Sequence, residues 1–370
     1  LDALKESTRD SGQGWFWRAF PLVHDCLIHE TWDDGWSDVS AHAVQLATDS
    51  GALAMLPSAL LSRAGAAVEN GELATAGALV AEANELAIAI DYAPLKYHRI
   101  IVAAWRGDEA EVTRLASAAL ASGRARGEGR MIGLAHYATV VLNVGLGRYA
   151  DALAAARNGC DYDDLGFFPE LLAEMVEAGV RGEDRGLAEQ ALGRLRDRTR
   201  VAGTPRALGS LTRSHALLSS GAEAEALYLE SIGHFEATSQ RIHLARGHLL
   251  YGEWLRRNGP ATAAREPLRV AHQEFAQMGS IAFAERARRE LQAAGQKTRK
   301  QPMGAGDALS PQERQIAELA GQELQWSVVL LGKQLDHHDA VLERLRRSSQ
   351  TAVAHQGRWL PPEGGLHDCD

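Results

Sequence analysis

The chain has 370 residues, of which 45% are hydrophobic and 6% aromatic, and its formal net charge is −9. Abundant Ala, Leu, Glu and Arg with few aromatic residues are typical of packed helices rather than sheets. Residues 1–295 carry a net charge of −8 and residues 296–358 carry +2, which excludes nucleic-acid binding by the body and leaves only the C-terminal quarter for it.

The cysteines, Cys26, Cys160 and Cys369, are too few and too scattered for a disulfide framework and are typical of a reducing cytoplasm. No apolar run approaches the roughly 20 residues of a membrane helix, and the N-terminus has no signal pattern. We therefore expect a cytoplasmic protein without a membrane partner. Because the chain begins at Leu1 rather than Met, residues 1–36 are interpreted as an N-terminal helical edge that an upstream segment could precede.

Two groups of residues have the side chains of metal ligands but the wrong spacing. The first lies near the N-terminus and lacks both an H-E-x-x-H motif and a paired-cysteine motif: His24, Asp25, Cys26, His29 and Glu30. The second, Asp161, Asp163 and Asp164, resembles the start of a calcium loop, yet Leu172 stands where the closing glutamate belongs. No G-x-S-x-G motif occurs. We predict no metal site, no catalytic residue and no enzyme activity.

A short sequence pattern recurs along the body of the chain. In it a helix ends, a glycine follows and a polar turn leads into an Ala-rich helix. Its glycines are Gly71, Gly107, Gly147, Gly182, Gly221 and Gly259, with spacings of 36, 40, 35, 39 and 38 residues. These spacings are close to the 34 residues of a tetratricopeptide repeat. They predict an all-α fold in which residues 37–294 form at least five antiparallel, tetratricopeptide-like helix pairs in a superhelix without strands.

The last pair shows the packing pattern most clearly. One helix face carries Ala264, Leu268, Ala271 and Phe275, and the preceding helix carries Ala245, Leu249, Leu250 and Trp254. Pro267 predicts a kink or a late start in the second helix. The segment 147–153, Gly-Arg-Tyr-Ala-Asp-Ala-Leu, resembles a tetratricopeptide turn. The curved surface of such a stack would receive a protein partner or a small-molecule effector, and an oligomer is possible.

Residues 295–308 form a basic, Gly- and Pro-containing linker, after which a new helix begins. Ser310 is a strong N-cap, Pro311 occupies the first helical position, and Glu313 completes a capping box. Ile316 and Leu319 then supply a buried stripe.

These residues resemble the opening of a LuxR-type helix-turn-helix domain. The segment 237–322 is similar to the last helical repeats and the beginning of the DNA-binding domain of the large ATP-dependent, maltose-regulator-like LuxR-type regulators. A weaker resemblance covers most of residues 50–322. The resemblance implies an N-terminal nucleotide-binding domain, helical repeats that take part in sensing, and a C-terminal DNA-binding domain. No phosphate loop occurs here, since Gly332-Lys333 is followed by Gln334. We expect no ATP binding and no cofactor.

The helix-turn-helix segment, 309–350, diverges from the family after Gln322. Leu324, Val329 and Leu335 fall at expected core positions, and Asp336 would cap the recognition helix. Glu323 replaces the turn glycine, however, and Lys333 replaces a buried leucine. Divergence, a reading-frame change or decay of the domain would each give this pattern. Residues 351–370 are interpreted as an irregular tail.

The resemblance implies DNA contact by a set of candidate residues, Arg314, His337, His338, Arg344, Arg346 and Arg347. Asp339 disfavours contact near the start of the recognition helix. Arg344, Arg346 and Arg347 either grip phosphates or form a solvated basic helix end. We expect a transcriptional regulator, or the C-terminal portion of one; the alternative is a helical-repeat interaction scaffold without DNA binding.

Overall fold

The computed structural model describes Phe20, Trp32 and residues 34–91, 97–160 and 168–295. These residues form fourteen helices, and no strand occurs among them. In chain order the helices are α1 Gly35–Asp49, α2 Leu56–Glu69, α3 Leu73–Ala89, α4 Tyr97–Arg106, α5 Glu109–Arg126, α6 Gly129–Leu146, α7 Tyr149–Cys160, α8 Phe168–Arg181, α9 Arg185–Ala202, α10 Pro205–Leu218, α11 Gly221–Glu236, α12 Arg241–Asn258, α13 Ala261–Met278 and α14 Ile281–Ala293. The prediction of an all-α protein is confirmed for this part of the chain.

The chain divides into two compact units, residues 1–299 and residues 300–370. The second unit, with the predicted helix-turn-helix segment, lies outside the described residues. Within the described ranges, no helix is long and apolar enough to cross a membrane.

Short polar side chains begin several of the helices. Asp108 accepts a hydrogen bond from the backbone N–H of Glu111, and Asp184 accepts one from that of Leu187. Thr204 caps α10 by accepting from Ala207. Each cap satisfies a backbone donor that the first helical turn leaves without an intrahelical partner.

The glycine pattern marks the turns, and four of the six glycines have positive φ angles. Gly71, Gly107, Gly147 and Gly221 have positive φ angles, as a left-handed turn residue requires. At the fourth turn Glu183 takes the left-handed conformation instead of Gly182. Gly259 is extended, with φ −130° and ψ −171°, because the residue before a proline is restricted to extended backbone.

The predicted stripe of α13 is confirmed, since Ala264, Leu268, Ala271 and Phe275 are fully buried. Of the two alternatives predicted at Pro267, a kink or a late helix start, the late start is wrong, because α13 is helical from Ala261 with Pro267 inside it. An internal proline costs about 3 kcal/mol or more. Burial of the leucine and phenylalanine at about 1.5–3 kcal/mol each is large enough to offset that cost.

The helices form an inner and an outer set. Every helix packs against the next one in the chain, and the even-numbered helices also contact one another along α2, α4, α6, α8 and α10. Helix α12 returns to contact α2, and α14 packs against α4 and α6. The even-numbered helices therefore enclose a common interior, and the odd-numbered helices lie outside them.

Close contacts mark the place where the last helices return to the first. The hydroxyl of Ser280 donates to the backbone carbonyl of Trp105 at 2.6 Å. A Cβ added to Gly107 would lie 2.8 Å from the Cβ of Ala282, and one added to Gly145 would lie 2.9 Å from the ring of Phe283. These glycines allow α14 to approach the ends of α4 and α6 more closely than a side chain would permit.

Candidate functional site

The interior of the even-numbered helices holds a cluster of charged side chains, which we call the ionic cluster. Its members are Glu69 on α2; Glu170, Glu174, Glu177 and Arg181 on α8; Arg206 and Arg213 on α10; His243, Arg246 and Glu253 on α12; and Arg286 on α14. Five glutamates thus face five arginines. The cluster is the most unusual chemical feature of the described residues.

Helix α8 supplies four members of the ionic cluster from one of its faces. Glu170, Glu174, Glu177 and Arg181 lie at i, i+4, i+7 and i+11, which places them on one face of the helix. The intervening residues are apolar and, apart from the half-buried Val180, they are buried; Leu171 and Leu172 are each 0% exposed. The helix is therefore buried on all sides, and its charged face must find partners inside the protein.

Arg246 lies at the centre of the cluster and is 1% exposed. Its guanidinium group donates to Glu174 Oε1 at 2.5 Å and also to Glu177. The same group lies 5.2 Å from the ring centroid of Phe283 and 5.9 Å from that of Trp105. Two carboxylates and two aromatic rings together replace the water that a guanidinium group loses on burial.

Arg286 connects α14 to three other inner helices. Its guanidinium group donates to Glu177 Oε1 on α8 at 2.8 Å and to both carboxylate oxygens of Glu253 on α12, at 2.7 and 3.0 Å. It also donates to the backbone carbonyl of Val144 at the end of α6, at 3.1 Å. Arg181 makes a further ion pair with Glu253. A planar guanidinium group with five donors suits such a junction better than a lysine would.

Glu69 connects the first part of the chain to the last. Its Oε2 atom lies 2.8 Å from His243 Nε2 and 3.0 Å from Arg206 Nη2. Arg213 Nη1 lies 3.5 Å from His243 Nδ1. Since a carboxylate only accepts, His243 Nε2 carries the proton that it donates to Glu69, and Nδ1 faces the guanidinium group of Arg213 as an acceptor.

The cluster fixes the protonation state of its members. Burial by itself raises the pKa of Glu177 and of Glu253, but the neighbouring arginines outweigh it and hold both pKa values below the ordinary range. Burial lowers the pKa of Arg213 to about 10, assisted by repulsion from Arg246. Burial likewise lowers the pKa of His243, against the opposing effect of Glu69. At neutral pH Glu177 and Glu253 are charged and His243 is neutral.

A small polar cavity of about 10 Å³ adjoins the cluster. Its lining includes Trp32, Tyr137, Glu174, Ser210 and Arg213. This volume suits about one water molecule, whereas pockets for organic ligands hold roughly 300–1,000 Å³. In this conformation the cavity has no room for an organic effector.

The ion pairs of the cluster join helices that are distant in sequence. Glu177 and Glu253 have lowered pKa values and each accepts from arginine, so neither is poised to donate a proton at neutral pH. What the arrangement does is hold helices distant in sequence at fixed positions. No group of His, Cys, Asp or Glu that could hold a metal ion occurs among the described residues.

The sites proposed from sequence lie outside the part of the chain that the structure describes. This applies to the DNA-contact candidates Arg314, His337, His338, Arg344, Arg346 and Arg347, to the capping residues Ser310, Glu313 and Asp336, to the cluster around His24, and to the loop at 161–166. The ionic cluster was missed. Its signal is the i, i+4, i+7, i+11 series of charges in an otherwise apolar α8.

Comparison with known proteins adds no family to this description. No family model matches the chain. No curated protein matches it either.

Proposed function

We propose that this chain is a transcriptional regulator, or the C-terminal portion of one, in which a helical-repeat body receives a signal or partner and the C-terminal segment contacts DNA. The observation that carries the proposal is the sequence of residues 310–320. There Ser310, Pro311 and Glu313 form an N-cap, first-turn and capping-box pattern that resembles the opening of a LuxR-type helix. This pattern follows a helical body and a basic linker in the sequence.

The helical body is proposed to be a tetratricopeptide-like superhelix. Its alternation of inner and outer helices and its turn glycines at intervals near 38 residues support this assignment. A cytoplasmic location is part of the same proposal and follows from the sparse cysteines and the regulatory role.

A macromolecular partner suits the body better than an effector bound at its centre. The interior that an open superhelix would offer to a ligand is filled by Arg246, Arg286 and their carboxylate partners. A signal therefore acts on the outer helices, or on a conformation in which α12 and α14 have moved away from α2, α4 and α6.

A scaffold that binds proteins but not DNA is the second candidate. The observation in its favour is the divergence after Gln322, where Glu323 stands at the turn-glycine position and Lys333 at a buried-leucine position. Asp339 near the start of the recognition helix adds charge repulsion against phosphates.

DNA titration of the full chain distinguishes these functions. Contacts limited to Arg344, Arg346 and Arg347 predict binding no tighter than about 10⁻⁶ M at physiological salt, steeply salt-dependent and nearly independent of sequence. The test compares the wild type with an R344A/R346A/R347A variant by fluorescence anisotropy over a range of salt concentrations. The triple variant is expected to lose most of the binding and to flatten its salt dependence.

The matched control is R114A/R126A/R269A, which removes three arginines that form exposed ion pairs in the body. The control should bind DNA as the wild type does. Wild-type protein without measurable DNA binding at low salt would favour the scaffold. Nanomolar binding to one operator would show that residues 323–350 recognise a specific DNA sequence.

A further inference from the structure

Two outer helices carry exposed faces of opposite charge. Helix α9 has five arginines against Glu189 and Asp197, a net charge of +3 in a protein of net charge −9. Helix α11 has four glutamates, Glu223, Glu225, Glu230 and Glu236, and no lysine or arginine. These are the most basic outer helix and the most acidic helix of the described residues.

The exposed face of α9 is a narrow stripe between two rows of arginines. Along its centre lie Gly186, Gln190, Gly193, Asp197 and Val201, at i, i+4, i+7, i+11 and i+15. Val201 is 84% exposed, and no atom lies within 4 Å of a Cβ added to Gly193. Arg196 and Arg200 are exposed on one flank and have no ion pair among the described residues.

The exposed face of α11 repeats this geometry with the opposite charge. Along its centre lie Ala222, Ala226, Leu229 and Gly233, at i, i+4, i+7 and i+11, all of them exposed. Leu229 is 51% exposed. Glu223 and Glu230 lie on one flank of the stripe, and Glu225 and Glu236 lie on the other.

The two faces are well placed to meet on different molecules. Within the first unit α9 packs against α8 and α10, while α11 packs against α10 and α12, so the two stripes point away from these contacts. Short turns make consecutive helices run antiparallel, and α9 and α11, two apart in the chain, therefore run in the same direction. A twofold axis parallel to the two helices would place α9 against α11 of a second copy, and α11 against α9 of that copy, with the paired helices running in the same direction.

We propose that the chain forms a twofold dimer through α9 and α11. The small residues of both stripes let the helices approach, and the arginine rows of α9 face the glutamate rows of α11. The contact between α9 and α11 occurs twice in the dimer. It covers Val201 and Leu229, which are two of the five large hydrophobic residues exposed in the described part of the chain. This inference does not depend on DNA binding.

Charge reversal on each face tests the dimer. Sedimentation velocity of the full chain should show a dimer that weakens as salt rises. R196E/R200E places like charges in both contacts of a homodimer, and so does E223R/E230R. Each variant should raise the dimer dissociation constant at least about a hundredfold, since opposed like charges cost several kcal/mol.

Mixing the two variants provides the decisive result. In the mixed dimer one contact joins the reversed α9 to the reversed α11, and the other joins the two native faces, so both contacts are again complementary. An equimolar mixture should recover the wild-type dimer, with circular dichroism showing that each variant keeps its helix content.

The control E266R/R269E swaps an exposed ion pair on the outer helix α13 and should leave the dimer unchanged. A wild-type chain that stays monomeric at about 100 μM, well above the micromolar Kd of an ordinary specific contact, would overturn the proposal. So would charge-reversed variants that dimerise as the wild type does, or a mixture that remains monomeric.

Discussion

Arg246 and Glu174, 72 residues apart in sequence, are joined by a hydrogen bond of 2.5 Å in a region where neither side chain is more than 2% exposed. The bond joins α12 to α8, and Arg246 reaches Glu177 as well. A buried ion pair adds little net stability over an apolar pair of the same shape, but removing one partner leaves an uncompensated charge. The ionic cluster therefore specifies which inner helices meet.

Substitution of Arg246 should show how much the stability of the body depends on the buried ion pairs. R246M leaves Glu174 without an ion pair, and it should lower the free energy of unfolding by about 3–5 kcal/mol. The measurement is urea unfolding followed by circular dichroism. R269M, which breaks the exposed pair with Glu266, is the matched control and should leave the unfolding midpoint almost unchanged. Equal effects of the two substitutions would contradict the burial of Arg246.

The stability of the body should fall between neutral and mildly acidic pH because of His243. The unfolded chain takes up a proton on this imidazole near pH 6.5. The folded protein takes it up at a lower pH, because burial lowers the pKa of His243. Glu69, Arg206 and Arg213 are the charged groups that face the ring. The stabilisation is thus complete above pH 6.5 and is lost as the pH falls towards the folded pKa.

The check is urea unfolding from pH 7 to pH 5. One proton gives a slope of at most about 1.4 kcal/mol per pH unit. H243Q should reduce the slope in this window. An unchanged slope in H243Q would assign the pH dependence to other groups. Below about pH 4 a further loss is expected, because the unfolded chain takes up protons on Glu177 and Glu253 while the lowered pKa values keep both carboxylates charged in the folded protein.

Alanine substitutions at two glycines test whether α14 lies against the turn that follows α4. Gly107 and Gly127 both have positive φ, +82° and +66°, so G107A and G127A share the conformational cost of about 1–2 kcal/mol. Only at Gly107 does an added Cβ meet another helix, 2.8 Å from the Cβ of Ala282 and 3.0 Å from its backbone nitrogen. G107A should therefore be about 1–3 kcal/mol more destabilising than G127A. Equal unfolding midpoints would mean that α14 does not lie against this turn.

Much of the fold could be predicted from local signals, and the ionic cluster could not. Helix class and the stripe of Ala264, Leu268, Ala271 and Phe275 follow from periodicity, which is a property of each segment by itself. The glycine spacing located the turns but not their geometry, because Pro260 forces Gly259 into extended backbone.

The contacts of the ionic cluster form only because helices from the beginning and the end of the array meet in the tertiary structure. Glu69 and His243 are 174 residues apart, and nothing in either segment identifies the other as its partner. The charged face of α8 could have shown that buried counter-charges were needed, since an apolar helix with Glu174 and Glu177 at its centre cannot be buried without them. Which arginines supply those charges follows only from the tertiary structure.

The central claim is that the inner helices close on one another through the ionic cluster, and a double-mutant cycle between Glu69 on α2 and Arg206 on α10 tests it most directly. Their side chains are 3.0 Å apart and both are buried. The free energies of unfolding of E69Q, R206M and the double variant should give a coupling energy of at least about 1 kcal/mol. Effects that add to within about 0.3–0.5 kcal/mol would contradict the closed arrangement.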